Sequence, residues 1–378
     1  MTSKSRTIVL TIAALAVVAV IATIIAVTVN RGGAPVAGSP PASITGTVWV
    51  ANEGAGSVSA IDAATNQVVA TVAGIGGPHN VQVAPSGSDV WIVSEPESLV
   101  AVLDSKTYRL RGSVAVGSEP AHVVVGPNGA RAYVTNGGSN SVSVIDTARL
   151  RVLATVPVGT GPHGLRISPD GRWVYVANAT DGTLSVIDTA TNRQAAKIVV
   201  GKKPVQVAVQ PDGRFVYVTL AAENSVAKID TASRQVVAKT PVGPGPIQIF
   251  ASADGKSLVV ANQGTEAAPG KFVSIIDLAT FTTAAEVPTG NGPHGVVIDP
   301  SSRYAYVTNL YDDTVSIVDL SSRTVVATTP VGDKPNGISF STSAPTKPVS
   351  MMLQIPMPHA SGSASASDSG GMSGMPGM

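Results

Sequence analysis

The residues of this 378-residue chain best suited to holding a metal ion or moving a proton are its five histidines and seven methionines, and both are unevenly placed. His79, His163 and His294 each follow a glycine and a proline in the same short stretch, Gly-Pro-His. Three imidazoles brought to one centre suit zinc, copper, iron or nickel. His122 lies one place further from its own proline and is set apart from that trio. Apart from Met1, every methionine falls between Met351 and Met378. Met372, Met375 and Met378 recur at every third position, and Met357-Pro358-His359 stands upstream. Thioether sulfur is a soft donor that favours copper(I). Each pattern has a plain alternative: Gly-Pro-His as a turn sequence, and the methionine tail as low complexity.

Other chemistries are poorly provided for. Cysteine is absent, which excludes disulfides, thiol catalysis and cysteine-ligated metal centres. There is no His-Glu-x-x-His, nucleophile elbow or phosphate loop. Lys plus Arg exceed Asp plus Glu by one, so the chain carries no electrostatic footprint for nucleic acid.

The elements that position the histidines follow from an internal repeat. Aspartates ending an Ile-Asp-like pair occur at Asp62, Asp104, Asp146, Asp188, Asp230, Asp277 and Asp319, at intervals of 42, 42, 42, 42, 47 and 42 residues. A proline column keeps the same register at Pro78, Pro120, Pro162, Pro204, Pro246, Pro293 and Pro335. The longer interval fits an insertion near Thr265–Gly270. Within each unit the apolar period is two, which means strands, and four strands in about 42 residues make a propeller blade. Three strands precede Pro78 and one follows Pro335, so the last strand must pair with the first three. The expected fold is an all-β, seven-bladed β-propeller over residues 46–342, closed in that way.

Tyr133-Val134-Thr135-Asn136 and Tyr306-Val307-Thr308-Asn309, with near matches at Val174–Asn178 and Val48–Asn52, resemble the signature of the YVTN-family β-propeller repeat proteins. The resemblance implies an extracytoplasmic or cell-surface propeller and implies little about a reaction. Ser94 and Leu220 depart from the pattern at its final Asn.

Residues that recur in every unit are expected to do a job in every blade. The column aspartates are expected to close Asx-type turns. Trp49, Trp91, Tyr133, Tyr175, Tyr217 and Tyr306, with Val259 in the remaining unit, are expected to pack between sheets. Asn52, Asn136, Asn178, Asn262 and Asn309 are expected to cap strand ends. Function is then sought where symmetry breaks, and the Gly-Pro-His units open the innermost strand beside the central channel.

The termini read differently from the repeat. Residues 8–29 form an uncharged apolar run, about 33 Å as a helix, long enough to span a bilayer. Lys4 and Arg6 precede it, which predicts a cytoplasmic N-terminus over 1–7, a single-pass signal anchor, a stalk over 30–45 and a propeller outside the cytoplasm. Residues 343–378 are expected to be a disordered Met-, Ser- and Gly-rich tail.

Together these features predict a membrane-anchored binding or interaction module. A protein or small-molecule ligand is expected at the channel face, with copper or zinc held by the channel histidines or by Met357, His359, Met372, Met375 and Met378. The alternative is a lactonase-like hydrolase or lyase with its site at the same mouth. A histidine–carboxylate group in the channel would favour the enzyme.

Overall fold

The computed structural model describes residues 44–346 and 348–356. The proposed anchor, most of the stalk and the distal tail lie outside the described residues. Twenty-nine strands, numbered β1–β29 in chain order, form seven sheets among the described residues. Six sheets are consecutive four-stranded meanders. The seventh, the closing blade, orders β28 (Pro335–Ser341), β1 (Thr47–Asn52), β2 (Ser57–Asp62), β3 (Gln67–Ala73) and β29 (Val349–Met352). β28 and β1 run antiparallel with Thr47 opposite Ser341 and Asn52 opposite Pro335, so the two ends of the repeat array meet in one sheet.

The alternation of Val, Ile and Ala with small polar residues places one face of each middle strand against each neighbouring blade. The second and third strands are accordingly buried almost throughout, whereas the fourth is exposed at alternate positions. Seven apolar clusters fill the seven gaps between adjacent sheets. The aromatic column lies inside them: Trp49, Trp91, Tyr133, Tyr175, Tyr217 and Tyr306 are all buried.

The recurring polar residues are structural, as expected. All seven column aspartates accept backbone N–H groups two residues on, as Asp188 does from Ala190 and Asp62 from Ala64. The column asparagines are fully buried clasps. Asn136 Nδ2 donates to Ser141 Oγ and Ser143 Oγ at 3.0 Å each, and its Oδ1 accepts from the Gly117 N–H at 3.1 Å. The insertion folds on itself through a bridge between Gly264 and Pro269.

One expectation is corrected. The chain beyond residue 343 does not leave the fold at once, because β29 adds a fifth strand parallel to β3 with Met351 opposite Val72. Val349, Met351, Leu353 and Ile355 pack against the cluster around Trp49 and Tyr108. Their period-two pattern is a strand signal that the Ser/Gly-rich composition of the distal tail obscures.

Candidate functional site

The innermost strands line the central channel, and each begins at a column proline. β4 (Pro78–Val83), β8 (Pro120–Val125) and β12 (Pro162–Ile167) carry His79, His122 and His163, and β24 (Pro293–Ile298) carries His294. The residue before every column proline has a positive φ, from 42° at Gly77 to 64° at Gly161 and Gly292, and 49–51° at Glu119, Lys203 and Lys334. That conformation explains the glycine before proline. The glycine after histidine is explained by crowding: a Cβ on Gly164 would lie 2.2 Å from Gln206 Oε1, and one on Gly295 would lie 2.3 Å from the Asn336 carbonyl oxygen. The histidine is the one residue of Gly-Pro-His-Gly that the turn does not require.

The structure gathers His79, His122 and His163. Their ring centroids are 5.6, 5.4 and 4.9 Å apart, and one nitrogen from each lies within 4.8 Å of the others. Of the expected trio, His79 and His163 lie in this group with His122, and His294 is outside it. Every innermost strand carries a bulge just after its column proline. The register between β8 and β9 (Arg131–Asn136) shifts between Pro120 and Val123, and a residue two places past the proline also reaches the axis. Thr135, from the Tyr-Val-Thr-Asn stretch, fixes this arrangement. Its hydroxyl accepts from the His122 N–H at 3.0 Å and donates to the His163 carbonyl at 2.6 Å, latching one blade to the next.

On its other side His79 meets carboxylates. Its Nδ1 is 3.8 Å from Glu53 Oε2 and 3.7 Å from Glu95 Oε2, with the His79 side chain 13% exposed and the two acids 36% and 43%. Asn336 Nδ2 donates to Glu53 Oε2 at 2.6 Å and lies 3.3 Å from His79 Nδ1. Glu53 and Asn336 belong to the closing blade, and Glu95 follows β5 (Asp89–Ser94) of the next blade. The group therefore sits at the seam where the two ends of the propeller pair. Burial would raise the Glu53 carboxyl, but hydrogen bonds and charge from His79, with Asn336 and His294, overcome it and hold the group down at about 2. It is ionised at neutral pH.

Three of the four channel imidazoles are driven the other way. Burial, followed by the charges of neighbouring histidines, lowers His163 to about 3 and His294 to about 4, and lowers His122 well below the usual histidine range. They are neutral at neutral pH. Burial also lowers Arg166, on β12, to about 10, and its charge adds to the pressure on His122.

Reading the sequence alone misses Glu53 and Glu95, although a signal for them exists. Both immediately follow the column that ends the second strand, where the other blades have Gly137, Ala179, Ala221, Gln263 and Leu310. Two acids in adjacent blades at a neutral position break the symmetry as clearly as the histidines do. Met357, His359, Met372, Met375 and Met378 lie outside the described residues. On the opposite face, a groove of about 460 Å³ is lined by Trp173, Tyr175 and Arg234. A related groove recurs one blade earlier beside Tyr133, which marks it as a feature of blade packing.

A seven-bladed propeller with a histidine–carboxylate group at its channel mouth is thus the class that fold and site define. A sequence model described as "Lactonase, 7-bladed beta-propeller" matches residues 45–195 and 111–269, together more than half of the chain. The chain belongs to that family. No curated protein matches the sequence significantly. Among solved structures it is similar to hydrazine synthase of Kuenenia stuttgartiensis, at 28% identity over 70% of this chain and 89% of that one, with a TM-score of 0.63. It also resembles a putative 6-phosphogluconolactonase of Bacteroides fragilis, at 18% identity over 80% of this chain and 99% of that one, with a TM-score of 0.68. Dihydro-heme d1 dehydrogenase NirN is similar at 16% identity over 82% and 78%, with a TM-score of 0.60. The last two likenesses concern the fold alone.

Proposed function

We propose that the protein is a hydrolase of lactones or related esters, with His79 as its acid–base group at the channel mouth. The observation that carries this reading is the His79 imidazole facing two carboxylates, Glu53 and Glu95, from adjacent blades. Membership of the lactonase propeller family supports it. His122, His163 and His294 are held neutral by burial, and His79 is given the role because its Nδ1 is the nitrogen that Glu53 and Glu95 face. In this scheme Nδ1 of His79, the nitrogen that faces the two carboxylates, takes a proton from water as the water attacks the ester carbonyl, then returns it to the departing alkoxide. Glu53, ionised and anchored by Asn336, orients the ring and stabilises the imidazolium that forms. Glu95 supplies a second negative charge at similar range.

The Tyr-Val-Thr-Asn repeats support a place among YVTN-type cell-surface propellers within the family. The uncharged run over residues 8–29 supports a single-pass anchor with the site facing outward. The experiment is acid release in a pH-stat with five- and six-membered lactones, sugar lactones with and without phosphate, and aryl esters. Wild type is expected to release acid from at least one class, and His79→Asn to lower that rate by about 10²–10⁴-fold. No release above background from any class overturns the hydrolase reading and leaves a binding module at the same mouth.

A further inference from the structure

The proposed hydrolysis, on which this inference does not depend, moves its proton at Nδ1 of His79 and leaves Nε2, with His122 and His163, without a task; a metal on Nε2 would keep a proton on Nδ1, so the metal-bound form would be the inactive one. Among the described residues, Nε2 of His79 and Nε2 of His122 are buried without a hydrogen-bond partner. Buried polar atoms in native proteins are nearly always paired, so two orphans in one cluster call for an occupant. The three imidazoles come from three consecutive inner strands, held in register by the Thr135 latch. We propose that His79, His122 and His163 form a binding site for a divalent transition-metal ion of the zinc class.

The geometry is close to what such an ion needs. Zinc–imidazole bonds of about 2.0–2.1 Å in a tetrahedral arrangement place ligand nitrogens about 3.3 Å apart. The three nitrogens here lie within 4.8 Å of one another, so each ring has to close by less than about 0.9 Å, within reach of side-chain rotation. The outer partners are also in place. Metal-bound histidines commonly present their second nitrogen to a carboxylate, a carbonyl or an amide. His79 Nδ1 faces Glu53, Glu95 and Asn336, and His163 Nδ1 lies 3.3 Å from the Val205 carbonyl. The Gln206 amide stands 3.4 Å from His122 Nδ1. Its Oε1 accepts from the Val207 N–H at 2.8 Å, so the amide donates to Nδ1 and the proton of a neutral His122 sits on Nε2; a metal taking Nε2 displaces that proton to Nδ1 and breaks the Gln206 contact. Three imidazoles without cysteine suit zinc(II), cobalt(II) or copper(II) better than calcium or magnesium. Three protein ligands leave the fourth position open, as in catalytic rather than structural zinc sites.

The test is direct titration of the full-length, chelator-treated protein with zinc against a chromophoric competitor at pH 7.5. One site with a dissociation constant below about 1 μM is expected. His122→Gln and His163→Gln should each weaken it by at least about 100-fold, while His359→Gln in the tail leaves it within about threefold. Circular dichroism establishes that the variants fold. Should they not fold, cobalt(II) in the wild type decides: intense visible bands of a four- or five-coordinate site support the assignment. A weak six-coordinate spectrum, no bound zinc, or affinity unchanged in the folded variants overturns it. Binding is read without any substrate, so failure of the metal site and failure of the hydrolase reading are separate results.

Discussion

Lowering the pH from 6.5 to 5 should strip this propeller of much of its stability, because three channel histidines are buried neutral. His163 is held at about 3, His294 at about 4 and His122 well below its usual range, mainly by burial. In the unfolded chain each returns to about 6.5 and takes up a proton. Their contribution is therefore fully present above pH 6.5 and is lost as pH falls toward the folded values. Three protons taken up on unfolding give a slope of about 3 kcal/mol per pH unit near pH 6 and about 4 near pH 5. The integrated loss from pH 6.5 to 5 is about 5 kcal/mol, comparable with the whole stability of many domains. His163 keeps part of its surface accessible, which reduces its share, so about 3 kcal/mol is the lower bound. Carboxylates with lowered values, such as Asp104 and Asp319, act below this window. The assay is urea unfolding at half-unit pH steps with a chelator present, followed by fluorescence of the buried Trp49 and Trp91. A slope below about 1 kcal/mol per unit between pH 6 and 5 refutes the buried-neutral assignment, as does a slope that His122→Gln, His163→Gln and His294→Gln leave unchanged.

Two further outcomes follow from the fold. Asn136→Ala removes a clasp that joins two hydroxyls and one backbone N–H, and should cost about 2–4 kcal/mol in urea unfolding. Ending the chain after Pro348 removes β29 and the half-buried Val349, Met351, Leu353 and Ile355, lowering stability by about 1–2 kcal/mol net of ordering, whereas ending it after Ala360 should leave the melting temperature nearly unchanged.

The seven blades, their closure and the roles of the aspartate, asparagine and aromatic columns were legible because the repeat writes the aspartate in all seven units, the aromatic in six and the asparagine in five. Periodicity averages out local ambiguity, and a position repeated in register reveals its task. The site is written once, and so was harder to read. Glu53 and Asn336 are separated by most of the chain and meet only because β28 pairs with β1. His122 looks misplaced by one residue in the sequence, yet its ring lies beside those of His79 and His163 in the fold. β29 was hidden because Val349–Ile355 adjoins a long Ser/Gly-rich stretch whose composition dominates any window laid across both. In each case the missing information is a tertiary contact.

The central claim is that His79 and Glu53 act as one acid–base unit at the seam of the ring. The measurement that tests it most directly is kcat/KM for the preferred lactone in wild type, His79→Asn, Glu53→Gln and the double variant, with folding verified in each. The account predicts that His79→Asn costs about 10²–10⁴-fold and that adding Glu53→Gln to it costs little more, since residues that act together are not additive. A His79→Asn variant with wild-type kcat/KM, or losses that simply multiply in the double variant, would contradict it.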